Sequence, residues 1–508
     1  MMMQSFLDPF IALLASLRSF AATVLPADWI GALPALVLVV FAFLALATSL
    51  KFNPLPVSIV GVVVAAIAAT VADPTLYPLG SFGALFVRDS FGDFFIMIVL
   101  VVGFLVLLSA SQFSGERGPY NFLLLLSFAG GILVVMANDL VAIFIAWELL
   151  STPTYILVAI GPTRGAVDGA TKYFVLGLLA SMLMLFGMAL LYAATGATSL
   201  ATIGSKVGYV LNTPEFEPVT YTYLLSMILF IISFGFKIGI FPGWMWVADA
   251  YGNADGSVAA YLAGSTKKTG IGALVRILMV AFIMAQLDWL GEAIGVVIAI
   301  VSVLTMVVGN FLALSQKNMM RMLAYSSIAM MGYLFMGVAA TAAAQTEYGV
   351  ATALFQAFAH AIMKSAAFIV IWAITLKLSK QITYDDLSGL SQRSPFAAAS
   401  LSILMLALAG APPTVGFLSK LFLFLAAFDA GLLWLVVIGL LNSVYSLGYY
   451  LRVVKYCYFT EPKDTTRFEL SRGPKIAIAI SVIAVFLFFI AFGPIFDWAF
   501  AAAASLMS

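Results

Sequence analysis

The chain has 508 residues, 63% of them hydrophobic and only 9% charged, with a mean hydropathy of +1.11. A soluble domain carries roughly 25% charged residues, so this composition excludes a surface that faces water all round. The net charge of +1 is uninformative, but one cysteine (Cys457) and one histidine (His360) exclude an intrachain disulfide, a cysteine-ligated cluster and a haem held by paired histidines.

In chain order, apolar runs of about 18 residues or more recur between polar or Pro/Gly breaks, the mark of transmembrane helices. Helices are predicted at about 30–49, 56–73, 92–110, 120–137, 139–160, 170–194, 221–242, 256–283, 288–312, 322–343, 350–376, 396–427, 430–457 and 474–498, fourteen in all. The first 25 residues (MMMQSFLDPFIALLASLRSF…) are also apolar and read as an interfacial helix or an extra span. Asp8 ahead of that run and Arg18 within it argue against a signal peptide. The expected fold class is an all-α polytopic membrane protein.

The basic residues give the orientation. Loops after odd-numbered segments hold fifteen of the 24: Lys51, Arg117, Arg164, Lys172, Lys317, Arg321, Lys377, Lys380, Arg393, Arg452, Lys455, Lys463, Arg467, Arg472 and Lys475. The opposite side holds three, Arg18, Arg88 and Lys206. Cytoplasmic loops are enriched in Lys and Arg, so the richer side is expected in the cytoplasm and both termini outside.

Six basic residues fall at membrane depth: Lys237, Lys267, Lys268, Arg276, Lys364 and Lys420. The fifth segment adds an acid, Glu148, in VAIFIAWELLSTPTY. A Lys or Asp at a helix centre costs about 2.5–3.5 kcal/mol on insertion scales. Snorkelling or a helix-locking ion pair would explain one such charge; several, spread over five segments, read as an ion path. Burial disfavours the charged form of a lysine, which lets such a side chain exchange protons near neutral pH. Glu148 and Lys237 are candidates for a switching pair. Lys267, Lys364 and Lys420 would continue the path, with His360 as a further titratable group. A lone His360 would read as a satisfied core histidine. Lys364 one helical turn away on the same face, in FAHAIMKSAAF, tips the reading toward a relay.

Two segments are broken beside their charges. Pro242 follows Lys237 in FKIGIFPGWMW, and Pro412, Pro413 and Gly416 precede Lys420 in ALAGAPPTVGFLSKLF. Irregular backbone at membrane depth is tolerated where it is buried in protein or lines a watery cavity, and matched breaks in two halves point to transporter-type inverted repeats. Segments four to eight and nine to thirteen make two five-helix halves with the break in the fourth helix of each. The expected division is 1–118 (three N-terminal helices), 119–283 and 284–457 (the inverted repeats) and 458–508 (a cytoplasmic loop and the last helix). The stretch VADAYGNADG, with Asp249 and Asp255, reads as a Gly-rich turn.

Over about residues 100–460 the chain resembles the antiporter-like membrane subunits shared by complex I, its archaeal and photosynthetic relatives and Mrp-type cation/proton antiporters. The resemblance is carried by NDLVAIFIAWELLSTPTYIL, DGATKYFVLGLLASMLMLFGMALLY, FKIGIFPGWMWVADAYGNADGSVAAYLAGSTKKTGIGALVRIL, QKNMMRMLAYSSIAMMGYLFMGVA, HAIMKSAAF and APPTVGFLSK. It implies that Glu148 and Lys237 form the pair where protons come in and that Lys420 faces the way out. Counted back from Arg276, Lys267 fits the pattern of subunit N and Lys268 that of subunit M; Lys267 is preferred. GLLNSVYSLGYYLRVVKYCYF resembles subunit N, whereas His360, Lys364 and TKKTG look more like L, M and Mrp proteins. The reading is a divergent subunit N, with subunit M or an Mrp-type antiporter without a redox partner as alternatives.

The resemblance implies a proton-translocating, non-redox subunit of an NADH:quinone oxidoreductase-type complex in a prokaryotic cell (inner) membrane. Electron transfer in a peripheral arm would drive charge changes through it. No cofactor is expected in this chain; Fe–S clusters, flavin and quinone would belong to partner subunits of the membrane and peripheral arms. Lipid is an expected partner and nucleic acid is not. A mere anchoring role would leave the insertion cost of the lysines unexplained, and a lipid-modifying enzyme lacks any nucleophile or metal constellation in the sequence.

Overall fold

The structure, a computed structural model, describes residues 16, 27–71, 80–82, 84–161, 164–212, 217–283, 288–462 and 464–507. The N-terminal stretch expected to be an interfacial helix or extra span lies outside them, save Ser16. Eleven helices among the described residues are long and apolar enough to cross a membrane. The three other predicted stretches are helical too, but shorter or interrupted: Leu55–Val71, 256–283, and Pro395–Ala409 with Val415–Asp429.

Three helices open the described chain: α1 (Ala27–Thr48), α2 (Leu55–Val71) and α3 (Ser90–Ala110). The first half then runs through α4 (Arg117–Met136), α5 (Leu140–Ala159), α6 (Ala166–Thr195), the short α7 (Leu200–Asn212), α8 (Glu217–Ile238), α9 (Val247–Asn253), α10 (Gly256–Tyr261) and α11 (Lys267–Ile277). The second half comprises α12 (Asp288–Ser315), α13 (Met319–Ala344), α14 (Tyr348–Leu378), the one-turn α15 (Leu390–Arg393), α16 (Pro395–Ala409), α17 (Val415–Asp429) and α18 (Leu433–Phe459). Helices α19 (Arg472–Ile490) and α20 (Gly493–Ala504) follow, so the last predicted segment is two helices, parted ahead of Pro494. Several starts are capped as their sequences dictate. The Asp89, Asp139, Asp255 and Asn318 side chains accept backbone N–H bonds at the starts of α3, α5, α10 and α13.

The two halves share one packing plan. In the first, neighbours touch in the order α4–α5–α6–α8–α11 and back to α4. In the second, the order is α12–α13–α14–α16/α17–α18 and back to α12. Each is a closed ring of five helical segments with the fourth one broken. A backbone latch recurs at the same place in both: Asp139, before the second helix, bridges to Ser199 after the third, and Asn318 bridges to Thr383. Five helical segments separate the latches, the odd number that two inverted repeats require.

Helix α14 is the hub. Its apolar window is wholly enclosed, and it packs on α3, α10, α13, α16, α17, α19 and α20. The contact with α13 is backbone to backbone, because a Cβ added at Gly349 would lie 2.2 Å from the Gly337 carbonyl oxygen. Gly349→Val is therefore expected to lower stability by about 1–3 kcal/mol, the usual cost of overpacking. A thermal melt of the purified protein in detergent checks it, and an unchanged melting temperature would mean that the helices part without cost.

Candidate proton path

Helix α8 stops one residue after Lys237. Gly239 takes a left-handed backbone (φ 71°), and Pro242 and Gly243 follow before α9 resumes. The freed backbone groups are satisfied within the protein. The Phe236 carbonyl accepts from the Trp246 indole at 2.7 Å, and the Phe241 N–H donates to Thr305 Oγ1 at 3.2 Å. Trp246 in turn stacks on Tyr173, centroids 4.0 Å apart.

Glu148 on α5 and Lys237 on α8 meet as expected, Nζ to Oε1 at 3.2 Å. Between them stands Ser181 of α6, which the sequence reading missed. Its hydroxyl donates to Glu148 at 2.6 Å and accepts from Lys237 at 2.8 Å. Trp147 places its ring 5.0 Å from the same ammonium. The lysine side chain is 1% exposed and the glutamate 31%, so the pair opens toward one side of the molecule through its acid.

Lys267 and Lys268 begin α11 after a π-helical turn, Leu262–Thr266. Such turns are frequent at functional sites. The neighbours diverge. Lys268 donates to the Ala263 carbonyl of its own turn. Lys267 has no hydrogen-bond partner, lies 5.2 Å from the Tyr251 ring, and borders the α8 break, where a Cβ on Gly239 would sit 3.5 Å from its Nζ.

His360 and Lys364 are fully buried on α14. Lys364 donates to Ser326 Oγ of α13 at 2.5 Å and lies 5.9 Å from the Tyr450 ring. Neither ring nitrogen of His360 has a protein partner. Buried polar groups are almost always paired, so His360 is a group without its usual partner inside the protein. His360 feels the charges of Lys268, Lys364, Lys267 and Lys420, and Lys364 those of Lys267 and Lys420. Lys267, Lys268, Lys364 and Lys420 thus lie within electrostatic reach of His360.

At the second break α16 ends on Gly410 (φ 90°) and α17 begins at Val415. Lys420 reaches back across this gap to donate to the freed Ala409 carbonyl at 2.9 Å and to Ser443 of α18 at 3.3 Å, with the Tyr333 ring 5.2 Å away. Both breaks thus fall beside the lysines where the sequence placed them, Lys237 and Lys420.

One expectation is corrected, and one charge at membrane depth proves to be an ion pair between helices. Residues read as a Gly-rich turn form α9, where Asp249 accepts from Lys172 (2.6 Å) and Arg321 (2.8 Å), while Asp255 caps α10. Only Ala254 and Asp255 turn; the Trp246 and Tyr173 packing holds the seven preceding residues helical. Arg276, counted among the charges at membrane depth, forks onto Asp89 at the start of α3, both bonds 2.7 Å. It is a two-helix tie rather than a free charge.

The family profile described as "NADH:quinone oxidoreductase/Mrp antiporter, TM" matches residues 137–446. The chain is 38% identical to NADH-quinone oxidoreductase subunit N of Trichlorobacter lovleyi over 437 residues, covering 84% of this chain and 85% of that one. It is 34% identical to F(420)H(2) dehydrogenase subunit N of Methanosarcina mazei over 457 residues, 85% and 90% of the two chains. Its fold matches a chain of respiratory complex I from Thermus thermophilus with a TM-score of 0.75 at 25% identity, covering 91% and 98%.

Proposed function

Because the chain belongs to the NADH:quinone oxidoreductase/Mrp antiporter membrane family, we propose that it is the N-type, proton-translocating membrane-arm subunit of a complex I-type oxidoreductase. The observation that carries this reading is the buried line of amines. It starts at the Glu148–Lys237 pair and runs by Lys267, His360 and Lys364 to Lys420, past both broken helices. Lys268 lies within its field but is tied to its own helix.

A carboxylate 3.2 Å from an ammonium stabilises the charge on both. Drawing the two apart removes that stabilisation and frees the proton to move on through water to Lys267 at the α8 break. Lys364 then links the halves, and Lys420, held by the carbonyl of the second break, is the last station. Electron carriers and the quinone site belong to partner subunits; the relatives' differing donors, NADH and F(420)H(2), fit a donor set elsewhere in the complex. By the charge count, the face with Lys172 and Arg321 is cytoplasmic.

The test is gentle purification of the chain from its native membrane, followed by reconstitution of what accompanies it. Recovery with Fe–S and quinone-site subunits, and proton uptake coupled to quinone reduction, is the expected result. Recovery with small Mrp-type partners, or cation/proton exchange without a redox partner, would replace this reading by a secondary antiporter.

A further inference from the structure

The fifth helix of each half carries an arginine at the same register. On α11, Arg276 follows Lys267 by nine residues, and on α18, Arg452 follows Ser443 by nine. Lys267 and Ser443 are equivalent in place. The first borders the α8 break, and the second accepts from Lys420 beside the α16–α17 break at 3.3 Å. Nine residues of helix carry each arginine about 13.5 Å beyond its break. By the charge count the two helix ends face opposite sides, and Arg452 faces the cytoplasm.

Their partners differ. Arg276 is neutralised by Asp89. Arg452 meets no carboxylate among the described residues. Its guanidinium lies 4.2 Å from the Tyr384 ring and 6.0 Å from that of Tyr456, and those rings are 5.7 Å apart. Buried Tyr384 follows Thr383, so the latch to Asn318 sets this ring on the helix end. A cation held on ring faces keeps its full charge. One turn further in along α18 stand Tyr449 and Tyr450, both fully buried, and the Tyr450 ring is 5.9 Å from Lys364 Nζ. The Tyr449 hydroxyl donates to Asn310 at 2.8 Å, while those of Tyr450 and Tyr384 have no protein partner. Phenols thus lie between the cytoplasmic end of α18 and Lys364, with a fixed cation set among them. Such a charge in a narrow passage is a barrier to protons and other cations.

We infer that Arg452 is an electrostatic plug: it stops protons passing between the cytoplasm and Lys364 through the second half, so that Lys364 is loaded from the first. The plug rests on the proton path proposed for the amines. The test uses the assembled complex in sealed vesicles. Redox-driven acidification by the parent complex tests the path, and decay of an imposed pH gradient without electron donor tests the plug. Arg452→Gln is expected to speed that decay at least about tenfold, the effect of lowering a barrier by 1.4 kcal/mol. Arg452→Lys keeps the charge without the planar guanidinium and is expected to stay tight. Adding Lys420→Met to Arg452→Gln is expected to close the leak, whereas adding Glu148→Gln leaves it open, because the leak bypasses the first half. A parent that acidifies normally while Arg452→Gln holds the gradient equally well overturns the plug and leaves the path standing. An equal leak in Arg452→Lys, or a leak that survives Lys420→Met, also overturns it and marks a loosened bundle. A parent without redox-driven acidification takes down the path itself.

Discussion

Glu148→Gln, made in the assembled complex, is expected to cut coupled proton translocation by about tenfold or more while the chain still assembles. Lys237 keeps the Ser181 hydroxyl at 2.8 Å and the Trp147 ring, but loses its carboxylate. Removing one partner of a fully buried pair costs about 3–5 kcal/mol. The 31% exposure of the Glu148 side chain discounts that toward the lower end, yet even 1.4 kcal/mol is tenfold. The measurement is acidification of vesicles per quinone reduced. Glu148→Asp keeps the charge on a shorter arm and is expected to fall between. Full coupling in Glu148→Gln would take the pair out of the path.

The second large effect separates two neighbours. Lys267→Met is expected to lower translocation by about tenfold or more, because its Nζ faces the α8 break without a hydrogen-bond partner and is the proposed station between the Glu148 pair and Lys364. Lys268→Met is expected to retain most translocation, since that amine is bound to the Ala263 carbonyl of its own turn. Its cost should be in stability, about 1 kcal/mol for a lost hydrogen bond. Vesicle acidification and a thermal melt, run on both variants, make the comparison. Equal loss of translocation in both would mean that the π-turn positions the two lysines as a unit.

Much of this was legible in the sequence because membrane segments announce themselves locally. Length and apolarity located the eleven helices long enough to cross a membrane and the three shorter or interrupted stretches among them, and the Pro/Gly clusters located both breaks. What was not legible depended on packing between distant segments. Ser181 lies 33 residues from Glu148 and 56 from Lys237, and its sequence surroundings, LLASMLML, show only a serine in an apolar run. Its one local signal is Gly177 a turn earlier, whose missing Cβ leaves room for Tyr155. Helix α9 was hidden by flanking Pro, Gly and Asn, and its helicity rests on contacts with α6 and α13. The π-turn before Lys267 has no composition signal at all. The Arg276–Asp89 tie spans 187 residues, beyond the reach of any periodicity argument.

Helix α14 has a consequence for how the chain is made. It is 31 residues long and enclosed along its apolar window, with α16, α17, α19 and α20 among its walls, every one of them later in the sequence. Chains are synthesised from the N-terminus, so the helix bearing His360 and Lys364 enters the bilayer before half its sheath exists. At that stage Ser326 on the preceding helix already stands ready to receive the Lys364 ammonium, while Tyr450 does not yet exist. A released chain that ended after residue 380 would leave this helix bare on the sides where α16, α17, α19 and α20 belong.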